Sequence, residues 1–226
     1  MQLNRIPAPA RGCHGFTLIE VLVTIVLILL GIIGVMGLQV KASSVELESY
    51  QRGQALSLAR DLAARIADSR NLVGAGSGYL DNSLSSTDGS VYVGTLGNRT
   101  TDLGACANGT TALQIATYEM CIFEKTLQGA AEGATPRGTM IGALGCLIRN
   151  DTAAPTNAAL TGALADLYVV IVWRGVASGK EPLGTLSGET ATPASKCASA
   201  VNYGSGLRRG VSVRVLVPNL QQGTSS

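Results

Sequence analysis

Residues 16–38 (FTLIEVLVTIVLILLGIIGVMGL) form an apolar run of 23 residues with a single charge, Glu20. About 20 apolar residues suffice for a helix to cross a bilayer. The run also exceeds the roughly 7–15-residue apolar core of an ordinary secretory signal. Residues 1–15 (MQLNRIPAPARGCHG) precede it with Arg5 and Arg11 and no acid. Positive charge on that flank predicts a cytoplasmic N-terminus, with everything after Lys41 on the other side of the membrane. Glu20 is the anomaly. A carboxylate near the end of a membrane helix costs several kcal/mol unless it meets water or a partner cation. Headgroup depth would supply the first, and a larger helical assembly the second.

The chain of 226 residues suits one domain with an appendage. It is 46% hydrophobic and only 14% charged, which excludes a charged disordered tail. A formal charge of +2 argues against a nucleic-acid binder working through a dense basic surface.

Residues 39–70 contain no proline and continue the helix. Ala55, Leu58, Ala59, Leu62, Ala63 and Ile66 recur at helical spacing as one apolar stripe, while Asp61 and Arg65 pair on the wet face. One helix over 16–70 would span about 80 Å. Its first half is apolar all round and its second half one-sided, so the second half packs under a globular head. Gly31, Gly34 and Gly37 allow close helix contact, or local unwinding. From 74 to 108 the chain reads as a loop with a short strand at Val91–Val93. A second helix is expected over 111–129, with Leu113, Ala116, Met120, Phe123 and Leu127 on one face and Glu119, Glu124 and Lys125 off it. Strands are expected at 138–149, bent at Gly142 or Gly145, at 167–174, and at 208–217. In the last, Val211, Val213, Val215 and Val217 alternate with Ser212 and Arg214. Residues 176–206 read as a second loop. The fold class is α+β: a long N-terminal helix packed on a small antiparallel sheet.

Gly15-Phe16-Thr17-Leu18-Ile19-Glu20 resembles the processing signature of type IV pilins and type II secretion pseudopilins. The resemblance implies a leader peptide over 1–15, cleaved by a prepilin peptidase between Gly15 and Phe16. It further implies N-methylation of Phe16 and an assembly role for the Glu20 carboxylate. The expected organisation is then a transmembrane and filament-core helix at 16–38, its amphipathic continuation at 39–70, and a periplasmic or extracellular pilin head at 71–226. Within the class, the segment LLGIIGVMGLQ, the helix around Ala116–Glu119, Val172-Trp173-Arg174 and Arg208-Arg209 are similar to PilV-type minor pilins. That implies a structural subunit that primes type IV pilus assembly in a tip complex and supports adhesion or twitching motility. The alternative is a minor pseudopilin of type II secretion. Implied partners are the prepilin peptidase, other minor pilins, the major pilin, the inner-membrane assembly platform and the lipid bilayer. No cofactor and no nucleic acid are expected. The implied location is the bacterial inner membrane, then the pilus and cell surface.

Loss of residues 1–15 removes two of the 17 Lys+Arg and none of the 15 Asp+Glu, so the side-chain charge falls to zero. It also removes Cys13 and the sole histidine, His14, which excludes every histidine-based site from the product. Cys106, Cys121, Cys146 and Cys197 remain, an even number in an exported domain, and two disulfides are expected. Of three connectivities, Cys106–Cys121 with Cys146–Cys197 is preferred. Their wide spacing argues against a zinc site. An enzyme using Trp173, Tyr168, Glu119 or Asp166 is the weaker reading, since no nucleophile motif accompanies them. A local cationic patch of Lys180, Lys196, Arg208 and Arg209 would be the basis for any DNA contact.

Overall fold

A computed structural model describes residues 15–69, 78–95, 103, 106–129, 140–149, 165–182 and 192–217. Residues 1–14, the start of the strand expected over 138–149, and parts of the loops expected at 74–108 and 176–206 lie outside them. The chain divides into two compact units, Met1–Val45 and Glu46–Ser226. Helix α1 runs over Leu18–Asp68. It begins two residues later than expected because Thr17 takes the capping position, its carbonyl oxygen accepting from the Glu20 and Val21 amides at 3.1 and 3.3 Å. The helix is unbroken at Gly31, Gly34 and Gly37, and no atom of the described residues would meet a Cβ there.

In the second unit the later part of α1 buries Ala55, Ala59, Leu62, Ala63 and Ile66. Small and large apolar residues one turn apart let the helix settle into the head. Gln51 is buried on the same helix, which the apolar spacing did not signal. The remaining elements are β1 (Ser85–Ser86), β2 (Val93–Gly94), α2 (Ala112–Leu127), β3 (Leu144–Arg149), β4 (Ala165–Arg174), α3 (Pro193–Lys196) and β5 (Arg208–Val217). Helix α2 starts at a reciprocal cap. Thr111 Oγ1 accepts from the Gln114 amide at 3.3 Å, and Gln114 Oε1 accepts from the Thr111 amide at 3.2 Å.

The sheet runs β1-β3-β4-β5, with β2 also on β3. Strand β3 pairs antiparallel with β4, and β4 with β5, through unbroken registers. The sheet is mixed rather than antiparallel throughout, because Ser85 and Ser86 pair parallel with Leu147 and Ile148. The expected strand over 138–149 begins only at Leu144, since Met140–Gly142 turn and Gly142 adopts φ +63°. Gly145 does not bend the strand. It sits in register with Ile171, and a Cβ there would lie 2.3 Å from the Phe123 ring. Its bare backbone is what lets α2 lie close on β3. The strand near 91–93 pairs only from Val93, and the second loop contains α3.

Both faces of the sheet are covered. Leu147, Leu167, Val169, Ile171, Trp173 and Val215 join one core cluster with α1 and α2. Leu144, Cys146, Val170 and Val172 join a second cluster with Ala194, Cys197, Ala198 and Tyr203. Burial on two sides explains why β4 reads as a nearly continuous apolar run rather than an alternating one. Each large side chain so buried contributes about 1.5–3 kcal/mol. Gly145→Ala should overpack this contact, lowering stability by about 1–3 kcal/mol. Thermal melting followed by circular dichroism will register it as a reduced Tm with unchanged helix content.

Candidate processing and assembly site

Gly15, Phe16 and Thr17 precede the first helical turn and are exposed, Phe16 to 84%. Glu20 is the acidic residue of that turn, with an exposed side chain. Its amide lies 3.4 Å from Thr17 Oγ1, so the Thr17-Leu18-Ile19-Glu20 order has the form of a capping sequence. A carboxylate here faces the positive end of the helix, which stabilises it by a few tenths of a kcal/mol or more. Beyond it the helix is apolar on every side. An 18-residue window reaches a mean hydropathy of 3.0 with none of it buried. Leu18, Ile19, Leu27, Leu30, Ile33 and Leu38 are each more than 60% exposed. The surface of this segment therefore requires lipid or other helices to cover it.

The head holds the other residues singled out from the sequence, and it disperses them. Trp173 is buried in the core, on the face opposite Tyr168. Asp166 accepts from Arg214 at 2.8 and 2.9 Å. Glu119 accepts from Arg65 at 2.7 Å, and Arg65 also reaches Asp61 at 3.0 Å. The Glu119 hydrogen bond, more than the Asp61 charge, raises the Arg65 pKa. These are half-wet pairs, weakened by solvent screening. Arg208 donates to the Cys197, Ala198 and Val201 carbonyls and stacks on Tyr203. Arg209 bonds Glu48 and the carbonyls of Ala177 and Gly206. The expected cationic patch thus loses both arginines to internal contacts, and only Lys180 and Lys196 of it carry no such bonds among the described residues. Glu124 also departs from expectation: it is 4% exposed on α2. No group of three or more metal-ligating side chains occurs among the described residues.

Cys106 bonds Cys121, tying the segment before α2 to that helix, with Cα atoms 5.5 Å apart. Cys146 bonds Cys197 at 5.8 Å, fastening β3 to the segment that covers the outer face. Cross-links of this kind stabilise by about 3 kcal/mol each.

Residues 10–36 match the model of the prokaryotic N-terminal methylation motif. The motif indicates a type IV pilin-like or pseudopilin-like protein. No curated protein and no solved structure matches the chain. The motif implies processing by a prepilin peptidase, and with the apolar helix it fits an inner-membrane anchor. Proteins of this class are structural rather than enzymatic.

One carboxylate in the head gives a pH signature. Hydrogen bonds from Ser90, its side chain and its amide, hold the Asp88 pKa below the ordinary value. A depressed folded-state pKa contributes stability above the unfolded pKa, lost as pH falls through the folded one. Asp88→Asn should therefore lower Tm at neutral pH, with the difference from the parent chain shrinking below about pH 4. Melting curves taken across that range will test it.

Proposed function

We propose that the chain is a PilV-type minor pilin, a structural subunit that helps prime type IV pilus assembly in a tip complex and so supports adhesion or twitching motility. The observation that carries this reading is Glu20 on the first turn of a helix whose apolar surface is uncovered from Phe16 onward. Cleavage between Gly15 and Phe16 removes the charged leader and creates an ammonium at Phe16, which is then methylated. That cation sits at the positive end of its own helix, where a carboxylate relieves it. Glu20 of one subunit meets the Phe16 ammonium of the next. Attraction between them is strong in a medium of low dielectric, and desolvation cancels much of it. The pair therefore sets register and direction of addition, while the exchange of lipid for neighbouring helices holds the fibre together. The N-terminus begins on the cytoplasmic side and the head reaches the pilus surface. Other minor pilins, the major pilin and the assembly platform are the partners.

Incubation with a prepilin peptidase should remove residues 1–15, read as a loss in intact mass. An uncleaved product would refute the processing step. Glu20→Ala should leave export and head folding intact while reducing the subunit in sheared fibres at least about tenfold. Normal incorporation would refute the role given to Glu20. Mass spectrometry of the same fibres identifies the co-assembled subunits, and secretion components in place of pilins would assign the chain to a type II pseudopilus instead.

A further inference from the structure

Strand β5 is the last strand of the sheet. Its register with β4 runs without a bulge from Arg208↔Arg174 to Val217↔Ala165, and it contains no proline. Just beyond it, the Gly175 amide donates to the Leu207 carbonyl oxygen at 2.6 Å. That bond fixes the phase of the ladder. In an antiparallel pair, alternate residues exchange hydrogen bonds with the neighbour and the rest point away. Arg209, Val211, Val213 and Val215 therefore turn their backbone groups toward β4. Gly210, Ser212, Arg214 and Leu216 turn theirs to the open side. Arg209 closes the start of this edge by donating to the Gly206 and Arg208 carbonyls at 2.9 and 3.1 Å. From Gly210 to Leu216, about 23 Å of strand at 3.3 Å per residue, no backbone group on the open side has a partner among the described residues.

Sheet proteins usually guard such an edge with a bulge, a proline or an unpaired charge. Here the single charge of the open stretch, Arg214, is neutralised by Asp166 and lies 6.0 Å from the Tyr168 ring. Ser212, Arg214 and Leu216 are exposed on one face, and Val211 and Val213 are partly buried against the core on the other. We infer that the Gly210–Leu216 edge docks an extended segment of another protein subunit, which adds to the sheet as a further strand. The incoming segment carries apolar side chains on the face that continues Val211 and Val213. On the other face it carries uncharged polar ones, because Arg214 already has its counter-ion. The inference rests on the sheet alone, and the Glu20→Ala result does not bear on it.

Hydrogen exchange of the full chain in detergent micelles, resolved to single amides, tests it. In the chain alone, the amides of Gly210, Ser212, Arg214 and Leu216 should exchange at least about tenfold faster than those of Val211, Val213 and Val215. Equal protection would mean that the chain's own residues cover the edge, and would overturn the inference. The probe is an acetylated peptide of alternating valine and threonine. It should slow the four outward amides at least about threefold, and its copy N-methylated at every second residue should not. No slowing by the unmodified peptide overturns the proposal. Ser212→Pro removes one outward N–H and leaves the β4 ladder intact. It should abolish the peptide effect. Where it unfolds the head, the comparison of the two peptides on the parent chain remains decisive.

Discussion

The structure depends on apolar helix surface that its own fold leaves bare. From Leu18 through Val45 no residue of α1 is buried, whereas from Gln51 onward the same helix buries one residue per turn or more. Water cannot accommodate the first stretch at that density of leucine, isoleucine and valine. Lipid can, and so can the flanks of identical helices. The difference between those two environments is small because both are apolar. A helix of this kind moves between them on the strength of close packing and of the few polar groups it carries. Glu20 is the only charge between Phe16 and Val40, which is why so much of the assembly reading concentrates on one carboxylate.

The head solves a different problem with few large side chains. It contains one tryptophan, Trp173, and one phenylalanine, Phe123. Its stability is built from aliphatic strands covered twice, by α1 and α2 on one face and by the segment around Cys197 on the other. That second layer has little regular structure of its own. It is held by the Cys146–Cys197 bond, by Arg208 collecting the carbonyls of Cys197, Ala198 and Val201, and by the Tyr203 hydroxyl donating to Gly142 at 2.8 Å. Gly89 belongs to the same arrangement: its φ of +75° and its approach to the Lys196 backbone leave no room for a Cβ.

Sequence pattern was informative wherever a local period coincided with a tertiary role. The alternation at Val211, Val213 and Val215 defined β5 to the residue, and the Ala55–Ile66 stripe identified the buried side of α1. Strand β2 was legible only at Val93, and β1 escaped because two residues carry no period, Ser85 and Ser86 being drawn into the sheet by pairing rather than propensity. Helix α3 escaped as well, because four residues are too few to show a period. Glu124 was misplaced because α2 is enclosed on more than its apolar face. The N-terminal methylation motif was legible in the sequence, since it is linear. The open edge of β5 was not, because its direction depends on which of two alternating phases pairs with β4.

The two cystine bridges tie the stability of the head to the redox state of its surroundings. With its thiols reduced, a head held partly by Cys106–Cys121 and Cys146–Cys197 lacks about 6 kcal/mol of its oxidised stability. That sum is comparable with the whole margin of a small domain. The polypeptide is therefore pliable while reduced and rigid once oxidised, a ratchet built into its covalent chemistry.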